Sequence, residues 1–117
     1  MLKKRLRSFY YAFRGIAWLL LTQPNARIHL VATAVVVTAG FYFRVSPQEW
    51  ALLVFAMSAV WVAEAFNTAL EFLTDLVSPG YHELAGKAKD VAAGAVLLAA
   101  IGAVVIAGIV FGPKISP

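Results

Sequence analysis

Four polar side chains stand out in an otherwise apolar stretch of this sequence: Glu64, Asn67, Glu71 and Asp75. On a helix turning about 100° per residue they fall at roughly 0°, 300°, 340° and 20°, a single stripe about 80° wide. The stripe runs roughly 16 Å along the helix axis. Glu83 and Asp90 follow, so residues 64–90 hold five of the six acidic residues of the chain. A carboxylate inside a membrane costs about 2.5–3.5 kcal/mol on insertion scales. Several on one face of an apolar helix imply a compensating task, and binding a cation while moving a proton is such a task.

The residue types narrow that chemistry. There is no cysteine, which excludes disulfides, iron–sulfur clusters and thiolate zinc sites. Oxygen ligands without paired histidines favour a hard cation such as Mg²⁺, which takes one or two carboxylates and bridges phosphate oxygens. Glu71, with Asn67 one turn away, suits that role. Lys87 and Lys89 can neutralise phosphate charge, and Asp90 can orient a lysine or a bound nucleotide. Glu64 lies deeper in the apolar run, where desolvation favours taking up a proton; that fits a general base facing a lipid hydroxyl.

Blander roles compete for the same residues. Glu64 can be a structural partner for His29 or Arg27 across a helix interface, and Asp75 and Glu83 can be solvated charges. His82-Glu83 lacks the second histidine of a metalloprotease helix. Gly80 to Lys87 imitates a phosphate-binding loop, but it has five residues where four are needed and Ala88 where a hydroxyl should sit. Trp18, Trp50 and Trp61 read as interface anchors or packing.

The elements that must position these groups are helical and apolar. The chain has 117 residues, enough for one domain, and is 62% apolar with 14% charged, against roughly 25% charged in soluble domains. Residues 1–23 place Leu6, Phe9, Tyr10, Phe13, Ile16, Ala17, Leu20 and Leu21 at helical spacing behind Lys3, Lys4, Arg5, Arg7 and Arg14. This pattern predicts an amphipathic surface helix. Arg14 and the lack of a small-residue cleavage site argue against a signal peptide.

Residues 26–44 form a first membrane-span candidate with an aromatic belt at Phe41–Phe43. Ser46, Pro47 and Glu49 spell a capping box for a second span over 48–77, about 45 Å long and stopped by Ser78-Pro79-Gly80. A third span over 86–111 is rich in Gly and Ala, which lets membrane helices pack closely. The expected fold is therefore an all-α membrane protein. Eight basic residues fall on one side of three spans (Lys3, Lys4, Arg5, Arg7, Arg14, Arg27, Lys87, Lys89) and only Arg44 and Lys114 on the other. That split puts the N-terminus and the 78–90 loop in the cytoplasm. The net charge of +4 thus reflects topology, and no nucleic-acid partner is expected.

The run Glu64-Ala-Phe-Asn67-Thr-Ala-Leu-Glu71, followed by Asp75, Tyr81-His82-Glu83-Leu84 and Ala88-Lys89-Asp90, closely resembles the prokaryotic diacylglycerol kinase family. That family is also called the diacylglycerol/undecaprenol kinases. Asn25-Ala-Arg27-Ile-His29-Leu and the run from Ala88 to Val96 resemble its undecaprenol kinase branch. The likeness extends from about Arg7 to Val110. It implies ATP-dependent phosphorylation of a membrane lipid alcohol, with Mg²⁺, by a homotrimer of three-span protomers whose active sites share residues between neighbours. By position, it implies Glu64 as catalytic base and Glu71 as the metal ligand. Asn67 would contact the phosphoryl region, with Lys89, Asp90, Arg14 and Glu83 binding nucleotide. The family carries a second metal-binding Glu where this chain has Gln23, whose carbonyl can ligate Mg²⁺ but brings no charge.

Two functions outside this class compete. A small proton-coupled multidrug exporter would also use one buried carboxylate, but transport sites sit at the bilayer midplane rather than beside Lys87 and Lys89. A non-catalytic assembly factor would leave the charged stripe without a purpose.

Overall fold

A computed structural model of the protein describes residues Met1–Ser116 as four helices: α1 (Leu2–Thr22), α2 (Pro24–Tyr42), α3 (Pro47–Val77) and α4 (Glu83–Ile115). The helix boundaries follow local chemistry. Gln23 is extended (φ −110°, ψ 113°), as the residue before a proline prefers. Pro24 then opens α2 two residues earlier than the expected start, because its fixed φ is suited to a first helical position. Ser46 caps α3: its Oγ accepts from the Glu49 N–H at 3.1 Å, while Glu49 Oε1 accepts from the Ser46 N–H at 2.9 Å. That is the capping box read from the sequence. α3 stops at Val77, before Ser78-Pro79-Gly80. α4 begins at Glu83, where His82 Nδ1 accepts from the Leu84 N–H at 3.1 Å. It runs four residues beyond Phe111, the expected end, with Pro113 in its last turn.

The α2–α3 turn has a feature the sequence concealed. The Val45 N–H donates to the Gly40 carbonyl at 3.1 Å and the Arg44 N–H to that of Phe41 at 3.3 Å. This is the paired closure that usually ends on a left-handed glycine; here Arg44 takes the left-handed conformation at φ 52°. The turn drops Val45 into the core, where it packs with Leu53, Val110 and Phe111, flanked by Phe43, Trp50 and Met57. Lys114 Nζ reaches Glu49 Oε2 at 2.9 Å, tying the end of α4 to the start of α3.

Gly40 lies so close to Trp50 that an added Cβ would come within 2.4 Å of the indole ring. Gly40→Ala is therefore expected to destabilise the fold by about 1–3 kcal/mol through overpacking. A denaturing-detergent titration reads this, and an unchanged midpoint would mean that Trp50 moves aside.

Large apolar side chains stay exposed along the helices, among them Phe55, Phe66, Leu98 and Val104. α3 and α4 are each long and apolar enough to cross a membrane; α2, with 19 residues, does not pass the same test. The protein is all-α, as expected, with two of its four helices carrying that signal.

Candidate functional site

The polar stripe of α3 is graded in depth. Glu64 is 1% exposed and Asn67 7%, Glu71 is half-buried, and the Asp75 side chain is 61% exposed. A residue every three or four positions keeps the row on one helix face, while the helix carries it from the packed interior to the surface.

The deep end is built by three helices. Glu64 on α3 faces His29 on α2, with Glu64 Oε2 at 3.4 Å from His29 Nε2. One turn away, the Trp61 Nε1–H donates to Thr33 Oγ1 at 2.9 Å, and the Thr33 hydroxyl donates to the His29 carbonyl at 2.7 Å. The Trp61 ring meets the imidazole edge-on, with centroids 6.2 Å apart. α4 supplies an uncharged wall of Ala93, Val96, Leu97 and Ala100, and Asn25, Ile28 and Asn67 complete a cleft of about 240 Å³. Glu64 Oε2, His29 Nε2, Asn67 Oδ1 and Thr68 Oγ1 are enclosed and make no hydrogen bond. Buried polar atoms are nearly always paired; three of these, on Glu64, Asn67 and His29, line the one cleft and mark it as a place suited to another polar group, while Thr68 faces the gap between α1 and α3.

The shallow end joins α3 to α4. Lys89 Nζ donates to Asp75 Oδ1 at 2.5 Å, and Glu71 is near enough for its charge to act on the same ammonium. Lys87 pairs with Glu83 at 3.2 Å, one helical turn apart. Asp90 and Arg14 are exposed on α4 and α1. Gln23 sits in the α1–α2 hinge, where its amide donates to Thr22 Oγ1 at 3.2 Å. The chain thus gathers Glu64, Asn67 and His29 at one end of the stripe and Glu71, Asp75 and Lys89 at the other.

Among the described residues no three His, Asp or Glu side chains converge as a metal cage. Mg²⁺ is usually bound through one or two carboxylates plus substrate phosphates rather than by a protein cage. The half-buried Glu71, beside the cationic Lys89, fits that mode.

Two placements bear on the alternatives for Glu64. Arg27 turns away from it: its guanidinium donates to the carbonyls of Leu20 at 3.3 Å and Leu21 at 2.9 Å, closing the C-terminal turn of α1. His29 is the partner. The Thr33–Trp61 link beside that contact was not singled out in the sequence, although His29 and Thr33 stand four apart in an apolar run, a spacing that puts both on one helix face.

The chain is similar to known proteins over most of its length. Over 111 residues the chain is 44% identical to a diacylglycerol kinase of Synechocystis, covering 94% of this chain and 63% of that protein. It is 35% identical over 114 residues to the undecaprenol kinase of Bacillus subtilis, covering 97% of this chain and 93% of the relative. To the diacylglycerol kinase of Escherichia coli it is 32% identical over 100 residues, covering 86% and 82%. Residues 10–111, which include the whole graded stripe, its α2 partner and the lysine at its shallow end, match the family described as prokaryotic diacylglycerol kinase, and the chain belongs to that family.

Proposed function

We propose that this protein phosphorylates a membrane lipid alcohol, undecaprenol or diacylglycerol, using ATP at the cytoplasmic face. The observation that carries the reading is the enclosed carboxylate of Glu64, which makes no hydrogen bond and has the His29 imidazole 3.4 Å away, in a cleft with one apolar wall. A lipid alcohol has the matching form, an apolar body ending in one hydroxyl. The names of the relatives, diacylglycerol kinase and undecaprenol kinase, supply the acceptor class and favour a kinase over an exporter.

In this mechanism Glu64 takes the proton of the lipid hydroxyl as the oxygen attacks the γ-phosphorus of ATP. Asn67, one turn nearer the surface, contacts the transferring group, and Lys89 with Asp90 holds the nucleotide, joined by Arg14 and Glu83. Glu71 and Gln23 would hold Mg²⁺, whose charge screens the phosphate oxygens. Catalysis of this kind is chiefly positioning and electrostatics, which suits a site built from rigid helices. Three spans per protomer, with α2 as the first, and a homotrimer sharing active sites complete the proposal. The exposed apolar faces of α2, α3 and α4 would then meet lipid or neighbouring protomers.

The direct test offers protein in bilayers labelled ATP, Mg²⁺, undecaprenol and diacylglycerol in parallel. Label should pass to at least one alcohol; label in neither would end the proposal. Gln23→Glu is expected to lower the Mg²⁺ concentration for half-maximal rate, by adding a charge where the family has one. An unchanged Mg²⁺ titration would remove Gln23 from the metal site.

A further inference from the structure

We infer that His29 is a positioning residue for the reacting carboxylate. It donates its Nε2–H to Glu64 Oε2 and so leaves Oε1 to accept the proton of the acceptor hydroxyl. The inference rests on the kinase reading above.

The geometry isolates the pair. Glu64 Oε2 is fully enclosed and His29 Nε2 is the polar atom 3.4 Å away, itself enclosed and without another partner. The α4 residues facing the cleft are all apolar, and the nearby Arg27 is committed to the end of α1. Among the described residues Glu64 and His29 are the titratable groups that line the cleft. In such surroundings a donor as near as His29 Nε2, 3.4 Å from the carboxylate, has a large hold on its orientation, because a low dielectric strengthens a paired polar group and penalises an unpaired one. Closing the gap from 3.4 Å to an ordinary N–H···O distance near 2.9 Å needs only a small rotation of either side chain.

The imidazole is in turn held from outside the pair. Trp61 packs edge-on against it, Trp61 is pinned by Thr33, and Thr33 is pinned to the backbone of His29. On α2 the residues are His29 and Thr33; on antiparallel α3 they are Glu64 and Trp61, three apart. Trp61, held in place by Thr33 one turn from Glu64, limits the His29 ring from one side independently of any ligand. The Nε2–H tautomer follows from the partner, since a carboxylate can only accept.

The atoms balance without His29 gaining or losing a proton. The lipid O–H bond breaks and its proton goes to Glu64 Oε1 while the lipid oxygen bonds to the γ-phosphorus. The bond from that phosphorus to the bridging oxygen of ADP breaks in the same transfer. Throughout, His29 keeps Glu64 Oε2 engaged, so the carboxylate presents one oxygen in one orientation.

Two substitutions test this. His29→Leu removes the donor at similar volume; His29→Gln keeps an amide N–H able to reach the carboxylate. His29→Leu is expected to lower kcat by about 10–100-fold, the usual cost of losing a group that orients a reacting one, with KM for ATP within about twofold. His29→Gln should recover most of the lost rate. Binding of a fluorescent nucleotide and the detergent denaturation midpoint, read on both variants, report whether the fold and nucleotide site survive. Wild-type kcat in His29→Leu would overturn the inference. So would equal loss in the two variants, or a loss confined to KM for ATP. Each of these leaves the kinase reading standing, whereas a wild-type protein that phosphorylates neither lipid removes both.

Discussion

Glu64→Gln is expected to reduce lipid phosphorylation by about 10²–10⁴-fold, the range contributed by a positioned general base, and to leave the protein as stable as before or more so. The two effects have one source. Glu64 is 1% exposed, and its Oε2 makes no hydrogen bond, so as a carboxylate it bears a desolvation cost without full repayment. The amide has the same shape and no charge, which relieves that cost while removing the proton acceptor. A purely structural Glu64, existing to pair with His29, predicts the reverse: the amide would weaken the interface of α2 with α3 and leave turnover intact. Measuring turnover in bilayers beside the denaturation midpoint separates the cases. Unreduced turnover would remove Glu64 as base, whatever the midpoint did.

What the sequence disclosed and what it hid divide along a physical line. Features set by adjacent residues were legible. Ser46 and Glu49 cap α3 because they are three apart, and α3 ends at Val77 because Pro79 and Gly80 follow. The stripe from Glu64 to Asp75 was legible for the same reason, helical period alone placing it on one face. The outward placing of Glu71 and Asp75 followed from a helix of about 45 Å, longer than the roughly 30 Å hydrocarbon core. The match of residues 10–111 to the family bears out the lipid-kinase resemblance, which rested on this same stretch and on Ala88-Lys89-Asp90.

Features set by the register between helices were not legible. His29 and Arg27 were equal candidates to face Glu64, since two positions on α2 differ by about 200° around the axis. Only packing selects His29 and sends Arg27 to the end of α1. The Lys89–Asp75 pair spans a turn whose path the residues do not encode. Arg44 is a residue type rarely found left-handed, so nothing marked it. Helix ends were less legible than helix interiors: α2 starts at Pro24 rather than at residue 26, and α4 runs from Glu83 to Ile115 rather than over 86–111, because an apolar pattern does not mark the terminal turns.

Glu71→Gln should produce the second large effect, of a different kind. The rate at low Mg²⁺ is expected to fall by about 10²-fold, the scale of removing one preorganised electrostatic contact from a transferring group, with part of the loss recovered at high Mg²⁺. Glu71 lies two turns beyond Glu64 on the same helix face, roughly 10 Å along the axis at the α-helical rise. That distance lets one end of the stripe hold nucleotide phosphates while the other holds the acceptor. Its neighbour Asp75 provides the internal control. Asp75 is engaged with Lys89, and both side chains are well exposed, so solvent screens the pair and it adds little to stability. Asp75→Asn should therefore leave stability nearly unchanged and alter the nucleotide KM through Lys89, with little change in the Mg²⁺ dependence. Glu71→Gln should do the opposite, shifting the Mg²⁺ titration first. Equal shifts in the two variants would mean that the metal is held by the shallow cluster as a whole. No shift in either would detach the outer half of the stripe from metal binding, leaving Glu64 and Asn67 as the functional pair.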